Sequence, residues 1–195
     1  MFNFLLEKNW LEISTKKNLS ESFIREFQDK VDWGRISFYQ KLSEPFIREF
    51  QDKVDWGTIS HCQKLSEDFI REFQDKVNWK LISICQNLSD RFILEFQDKI
   101  DFNNLSLNPF LNEIVMEAFQ DRLDWKKICM CKKLSEMFMR RMQDKIHWYQ
   151  VSKYQCLSES FIKEFRYKLD WDLICEHQVL SENFIREFQD RVSEL

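Results

Sequence analysis

An internal repeat of 23 residues runs without a gap through this chain of 195 residues and constrains its fold more than any other feature. Counted from Leu19, eight repeats each begin with an apolar leucine, and the last repeat stops at Leu195. Trp10 and Ile13 keep the same frame, so residues 1–18 represent the end of a degraded repeat. Such a period is typical of solenoids, in which each unit buries its apolar side against the next. The typical repeat reads Leu-Ser-Glu-x-Phe-Ile-Arg-Glu-Phe-Gln-Asp-Lys-Val-Asp-Trp-x-x-Ile-Ser-x-x-Gln-Lys.

Each repeat carries signals for two short helices. Serine at the second position is a natural N-cap, replaced once by Asn112, and an acidic residue that suits the helix dipole follows it. A second cap stands at the fourteenth position, which is aspartate or asparagine except at His147. Apolar residues such as Phe69, Ile70 and Phe73 then recur at helical spacing. The pattern predicts helices of about 11 and 8 residues, too short to persist alone in water.

We therefore predict an all-α fold, an α-solenoid of 23-residue helix-turn-helix repeats. The chain, 1–195, is expected to be a single repeat domain. Residues 1–18 are its degraded N-terminal cap, residues 19–179 its seven full repeats, and residues 180–195 its C-terminal half repeat. A content of only 2 Gly and 2 Pro argues against a β-rich or disordered chain. The fourth repeat has Phe102 in place of Trp and ends in Leu-Asn-Pro-Phe, which predicts a kink.

Charge and targeting signals narrow the setting. With 29 basic and 33 acidic residues the net charge is −4, so the chain lacks the positive field of a general nucleic-acid binder. No stretch of 18 apolar residues predicts a membrane span, and no secretory signal is recognised. We therefore expect the six cysteines to be reduced thiols of an intracellular protein.

The repeats resemble the short tandem helical repeats of amoeba-infecting giant DNA viruses of the mimivirus and megavirus kind. The likeness is carried by Leu-Ser-Glu-x-Phe-Ile-Arg-Glu-Phe-Gln-Asp-Lys with the following Trp-x-x-Ile-Ser, as in residues 65–87, and it spans the chain. The resemblance implies a viral protein in the host cytoplasm, and it transfers no catalytic residue.

We predict no catalytic, cofactor-binding or metal site. His61 beside Cys62, His177 after Cys175 and the other cysteines do not match the spacing of zinc ligands. No phosphate-binding or hydrolase motif occurs, and two glycines cannot build a phosphate cradle. The sequence therefore favours a binding protein over an enzyme.

Two recurrent polar patterns are interpreted as structural. The glutamine at the tenth position of most repeats, as in Gln51, is expected to bond to the adjacent repeat. The charged residues of the first helix are expected to form i to i+4 ion pairs on a solvated face. These pairs are Glu26–Lys30, Glu49–Lys53 and Glu72–Lys76, with Arg71–Asp75 in the reverse order.

Variation between repeats suggests a candidate partner-binding ridge at the twentieth position. An exposed apolar ridge there would bind a partner. The alternative, given equal weight, is that these side chains pack between successive second helices. The ridge consists of Phe38, His61, Ile84, Leu107 and Met130, before the series turns charged.

Apolar ends suggest a second hypothesis, self-association into dimers or fibres. The alternative is that the terminal residues fold back locally. The candidate residues for self-association are Phe2, Phe4, Leu5, Phe184, Ile185 and Phe188.

The functional expectation is a non-catalytic scaffold for protein–protein interactions, with a host or viral protein partner and no cofactor. The main alternative is a self-associating assembly protein, possible as a homo-oligomer through its terminal repeats. A minor alternative is an RNA-binding repeat protein, which would need a basic groove and a consistent base reader. We do not expect nucleic acid or membrane as partners.

Overall fold

The computed structural model describes residues 2–16 and 18–188, and within them the side chains from residue 9 onward. Over these residues the chain is all-α, with sixteen helices and no β strand. It is an α-solenoid in which each repeat supplies one helix pair, as the sequence predicts. Two compact units divide the chain, unit 1 (Met1–Asp101) and unit 2 (Phe102–Leu195). The single-domain organisation stays a prediction.

The helices alternate along the chain after α1, which spans Phe2–Thr15. The first helices of the repeats are α2 (Glu21–Glu26), α4 (Glu44–Glu49), α6 (Glu67–Glu72), α8 (Asp90–Glu95), α10 (Glu113–Ala118), α12 (Glu136–Arg141), α14 (Glu159–Glu164) and α16 (Glu182–Glu187). The second helices are α3 (Trp33–Tyr39), α5 (Trp56–Cys62), α7 (Trp79–Cys85), α9 (Phe102–Leu105), α11 (Trp125–Cys131), α13 (Trp148–Tyr154) and α15 (Trp171–His177). No helix among the described residues has the length and apolar character needed to cross a membrane.

Both predicted N-caps are confirmed. Before the first helix, Ser43 Oγ accepts a hydrogen bond from the Phe46 amide at 3.3 Å. Before the second helix, Asp55 Oδ1 accepts one from the Thr58 amide at 2.6 Å. His147 stands at the same position and makes no side-chain cap bond. Each cap satisfies an amide that the helix itself leaves without a partner.

The first helices are shorter than predicted, because the chain tightens into a turn after six helical residues. At Phe50 the backbone leaves helical geometry with φ −111° and ψ 31°, and the Lys53 amide donates to the Phe50 carbonyl at 2.9 Å. The indole N–H of Trp56 donates to the Gln51 carbonyl at 2.8 Å. An oxygen that a longer helix would have satisfied is therefore bonded by the tryptophan that opens the second helix.

Aromatic side chains hold successive repeats together. The Trp33 ring lies 4.9 Å from the ring of Phe50 and 6.2 Å from that of Phe46, both in the following repeat. Phe46 and Phe69 are fully buried, as are the matching isoleucines of the first helices. Because each repeat covers the apolar side of its neighbour, the predicted mode of stabilisation is confirmed.

A buried glutamine at the twenty-second position of the repeat ties second helices together. Gln63 Nε2 donates to the Ser37 carbonyl at 3.0 Å and to the Gln40 carbonyl at 2.8 Å, both in the preceding repeat. Its Oε1 accepts from the Leu42 amide at 3.1 Å. One amide group thus satisfies three backbone groups at a helix end, where carbonyls lack partners within the helix. Gln40, Gln86, Gln155 and Gln178 make equivalent bonds.

The fourth repeat departs from this pattern in its second helix, and the kink that its sequence predicts stays a prediction. Its second helix, α9, has four residues rather than seven. Pro109 replaces the glutamine and has no amide proton to donate, so the turn closes earlier with an Asn108 amide bond to the Leu105 carbonyl at 2.9 Å. In the next repeat Lys132 replaces the glutamine, and its Nζ donates to the Asn108 carbonyl. The boundary between the two units falls within this repeat, after Asp101.

Second helices of successive repeats lie side by side within each unit. The closest backbone approaches between helices are α1–α3, α3–α5 and α5–α7 in unit 1, and α11–α13 and α13–α15 in unit 2. A bond from the Asp55 amide to Ser37 Oγ at 3.0 Å, repeated at other junctions, fixes their register. The outward positions of the second helices therefore form a face on each unit.

Candidate interaction surface

The predicted ridge lies on the second helices, and its exposure varies along each unit. In unit 1, Phe38 is 55% exposed and His61 is exposed, whereas Ile84 is half-buried. In unit 2, Leu107 is half-buried and Met130 is 41% exposed. The ridge is thus open to solvent at Phe38 and Met130 and partly covered elsewhere.

An open groove lies beside the first ridge residue. Its volume is about 510 Å³, and it runs between α3 and α5. Phe38 and Tyr39 form one wall in edge-to-face contact, with ring centroids 4.8 Å apart. The groove combines an aromatic wall with polar groups, which is typical of surfaces that bind peptides. The residues that line it are Asp32, Gly34, Arg35, Phe38, Tyr39, Asp55 and Thr58.

Three cysteines of the second helices, Cys62, Cys85 and Cys129, have raised pKa values. His61 Nδ1 lies 3.0 Å from the Sγ of Cys85, which joins α5 to α7. Burial raises the pKa of both Cys62 and Cys85, and the nearby Cys62 raises that of Cys85 further. Burial raises the pKa of Cys129 to about 11. These shifts disfavour the thiolate form, which is the nucleophile and the metal ligand. The described part of the chain holds no group of three or more His, Cys, Asp or Glu able to bind a metal ion.

Charged residues of the first helices pair both within a helix, as Arg48 does with Glu44 at 4.0 Å, and between repeats. Arg48 Nε lies 2.7 Å from Glu72 Oε2 of the next repeat. Lys53 Nζ lies 3.0 Å from Asp29 Oδ1 of the preceding repeat. The predicted pairs Glu49–Lys53 and Glu72–Lys76 are wrong, because α4 and α6 end at the glutamate and the lysine lies in the following turn. The same holds for Glu26–Lys30 and for Arg71–Asp75, in which Asp75 instead lies 3.2 Å from Lys99.

One junction in unit 2 carries the same ion pair with its charges exchanged. Glu117 occupies the seventh position, where most repeats have Arg or Lys, and Arg141 occupies the eighth, where most have Glu. Arg141 Nη2 lies 3.3 Å from Glu117 Oε2. The contact is thus retained although both residue types are reversed.

A hollow of about 690 Å³ lies on the first-helix side of unit 1, but its charges already have partners. Arg71 lies 2.9 Å from both Asp68 and Glu95, and the bond to Glu95 raises the pKa of the guanidinium. The same bond lowers the pKa of Glu95. A ligand there would have to displace pairs that the fold has formed, so this hollow is a weaker candidate than the second-helix groove.

The glutamine at the tenth position bonds to the adjacent repeat, as predicted. Gln51 Oε1 accepts from Lys76 Nζ at 2.9 Å. The buried ladder of the twenty-second position was not recognised from the sequence. Its signal is that this glutamine recurs at the C-terminal end of the second helix, where free carbonyls gather.

The candidate residues for self-association are placed unevenly. The side chains of Phe2, Phe4 and Leu5 lie outside the described residues. Phe184 is only 2% exposed, because it packs against Trp171 and Phe188. Ile185 is 40% exposed, and Phe188 is half-buried. Ile185 is therefore the described candidate with the most accessible apolar surface.

No protein-family model matches the chain, and comparison with curated proteins and with solved structures finds no significant match.

Proposed function

We propose that this chain is a non-catalytic scaffold for protein–protein interactions, which binds a protein partner through the outward positions of its second helices. The supporting observation is that structural contacts and exposed, varied side chains occupy different positions of the repeat. Residues that recur in most repeats make the caps, the aromatic contacts and the glutamine ladder. Most positions that vary lie on the second-helix side, and position four of the first helix, as in Met137, is the exception. Varied, exposed side chains on a fixed backbone give a binding surface that can change without cost to the fold.

Apolar exposure on that side supports the same proposal. Phe38 and Tyr39 in unit 1 and Met130, Tyr149 and Tyr154 in unit 2 are all exposed. Aromatic and methionine side chains are enriched in protein interfaces, where they bury much apolar area on binding. A partner that covered them would gain hydrophobic stabilisation at each.

The proposed setting is intracellular, in the cytoplasm of a host cell. All six cysteines are free thiols, which suits a reducing compartment. The resemblance of the repeats to those of amoeba-infecting giant viruses is the reason to look for the partner among amoebal and viral proteins.

The test compares capture of proteins from an amoebal lysate by the full-length chain and by surface variants. Phe38→Asp with Met130→Asp should remove capture of the specific partner and leave the melting temperature within about 3 °C. Ile84→Asp with Met130→Asp gives a second variant, and loss of its fold would show that Ile84 belongs to the core.

A matched control changes apolar residues of the first-helix side that are more exposed than Phe38 and Met130. Met137 and Tyr167 are 70% and 73% exposed, so Met137→Asp with Tyr167→Asp alters a comparable amount of apolar surface. This control should capture the same proteins as the unchanged chain. Capture that survives in the Phe38 and Met130 variant, or that is lost equally in the control, would contradict binding through the second helices.

Self-association is a second candidate, favoured by one observation. Ile185 is 40% exposed, whereas Ile24, Ile47 and Ile70 at the same repeat position are fully buried. Sedimentation equilibrium of the full chain would show a concentration-dependent dimer that Ile185→Glu weakens. A monomer at all concentrations would exclude this candidate.

A further inference from the structure

Acidic residues are absent from one side of the first six repeats, and the seventh repeat is the exception with Asp172 and Glu176. We define the second-helix face as positions sixteen, seventeen, twenty, twenty-one and twenty-three, which in the first repeat are Gly34, Arg35, Phe38, Tyr39 and Lys41. Over the first six repeats these thirty positions contain no Asp or Glu. An even spread of the 33 acidic residues over the chain of 195 would place about five there. The same positions hold eight basic residues: Arg35, Lys41, Lys64, Lys80, Lys126, Lys127, Lys133 and Lys153.

The positive charges of this face are not used by the fold. Lys127 pairs with Asp124 at 3.6 Å. The other seven form no ion pair with any residue that the structure describes, and most are exposed. In the first helices, by contrast, Arg25, Arg48 and Arg140 each lie 2.7 Å from a glutamate of the next repeat. Charges without partners attract a ligand of opposite sign, whereas paired charges do not.

Aspartate caps at the edge of the face do not cancel this field. Asp32 and Asp55 line the groove beside Phe38, but each accepts a hydrogen bond from a helix amide. Bonds from Thr58 lower the pKa of Asp55, and the positive end of the helix dipole offsets its charge. Arg35, Lys80 and Lys126 lie in the first turn of their helices, whereas the lysines at position twenty-three, Lys41, Lys64 and Lys133, lie beyond the helix ends.

Apolar side chains share the face with the basic ones. In unit 1, Lys80 shares the third repeat with Ile84, and Lys64 lies in the second repeat, which follows the repeat of Phe38. In unit 2, Lys126 and Lys133 flank Met130 in one repeat. A ligand that matches each unit must therefore present both negative charge and apolar groups.

We propose that the second-helix face of each unit binds an acidic protein segment that also carries apolar side chains. Its carboxylates would pair with Lys64 and Lys80 in unit 1 or with Lys126 and Lys133 in unit 2, and its apolar side chains would cover the ridge. This inference rests on the proposed scaffold function and names the class of its partner.

A protein segment fits the face better than single-stranded RNA does. Stacking of bases needs aromatic or guanidinium planes along the path of the strand. The ridge position instead holds Ile84, Leu107 and Met130 among its five members, and aliphatic side chains offer no plane.

The test measures binding of the purified full-length chain to three fluorescein-labelled probes by fluorescence anisotropy. The first probe is a synthetic peptide of about sixteen residues built from alternating pairs of Glu and Leu, and the second replaces every Glu by Gln. The third is oligo-uridine of the same length. We expect the acidic peptide to bind at least about tenfold more tightly than the Gln peptide at low salt, and to lose that advantage at high salt.

Charge-reversal variants locate the binding site. Lys64→Glu with Lys80→Glu and, separately, Lys126→Glu with Lys133→Glu should each weaken binding of the acidic peptide several-fold and leave the Gln peptide unaffected. Arg91→Glu with Arg186→Glu makes the same change in net charge at exposed first-helix positions and should bind as the unchanged chain does.

Three outcomes would overturn the proposal. Equal affinity for the Glu and Gln peptides would show that charge does not select the ligand. Equal weakening by the Arg91 and Arg186 control would show that only net charge matters. Tighter binding of oligo-uridine would assign the face to nucleic acid. Partner capture could depend on Phe38 and Met130 while the Glu peptide binds no more tightly than the Gln peptide. That result would support the scaffold function and contradict an acidic partner.

Discussion

The two sides of the repeat array differ in how their side chains are used. On the first-helix side most arginines and lysines are bonded to the next or preceding repeat, as Arg48 is to Glu72 and Lys53 to Asp29. On the second-helix side the exposed residues differ from repeat to repeat, and Lys64 and Lys80 have no acidic partner among the described residues. The repeat is therefore uniform where it must match its neighbour and varied where only solvent or a ligand meets it.

The same residue type plays opposite roles on the two sides, and these matched pairs can be tested. Phenylalanine is fully buried in the first helix and largely exposed on the ridge. Glutamine is buried at the end of the second helix and half-exposed after the first. Each matched pair separates the contribution of position from that of residue type.

The largest difference is expected between two phenylalanines. Phe69→Ala should lower the free energy of unfolding by about 3–5 kcal/mol, because it leaves a cavity between repeats. Phe38→Ala should lower it by less than about 1 kcal/mol, because that ring is more than half exposed. Urea unfolding followed by circular dichroism measures both. Similar losses for the two variants would contradict the division between a structural and a free side.

A smaller difference is expected between two glutamines. Gln63→Ala should destabilise the chain by about 2–3 kcal/mol, because two carbonyls and an amide lose their partner at a buried helix end. Gln51→Ala removes only the bond to Lys76 and should cost less than about 0.5 kcal/mol. The same urea titration compares them. If Gln51→Ala were the more damaging change, the ladder would not be the tie between second helices.

Helix caps should contribute about as much as one hydrogen bond each. Asp55→Ala should cost about 1 kcal/mol at neutral pH, and His147→Asp should add a similar amount, because His147 makes no side-chain cap bond. Bonds from Thr58 lower the pKa of Asp55, so its contribution is present above the unfolded-state pKa and is lost as the pH falls through the folded-state pKa.

Thermal unfolding near pH 7 and near pH 3 checks the cap prediction. The difference between Asp55→Ala and the unchanged chain should shrink in acid, because the unfolded state binds the proton first and stability falls until the folded-state carboxyl is protonated too. A constant difference at both pH values would show that packing, rather than the charged cap, accounts for the effect.

The fold could be predicted from the sequence, because a gapless 23-residue period with two helix caps per repeat is compatible with few folds other than an α-solenoid. The length of the first helix could not be predicted from the sequence. The bond from the Trp56 indole to the Gln51 carbonyl replaces a helical bond, and the two groups meet only once the turn between the helices has formed. Two glutamines recur per repeat, and the sequence does not show which is buried. Phe38 is exposed and Ile84 is half-buried although both occupy position twenty. This difference depends on how closely the neighbouring helices lie, which the sequence does not show.

Ion pairs of the first-helix side were predicted with the wrong partners for a related reason. Residues 24 apart, such as Arg48 and Glu72, meet only when successive repeats pack in register. The pattern within one helix indicates only i to i+4 neighbours and gives no information on partners in the next repeat. The exchanged charges of Glu117 and Arg141 are the sequence signal that was available, since both changes make sense only as a pair.

The smallest predicted effect uses that exchanged pair. Glu117→Arg alone places like charges together and should cost up to about 1 kcal/mol, and Arg141→Glu alone should do the same. The double variant restores the order found at Arg48–Glu72 and should recover most of the loss. The effects are small because both side chains are about half exposed and solvent screens their charges. A double-mutant cycle in urea, repeated at high salt to screen the pair, measures the coupling. If the double variant is no more stable than either single variant, the first-helix ion pairs form when the repeats pack together but do not stabilise that packing.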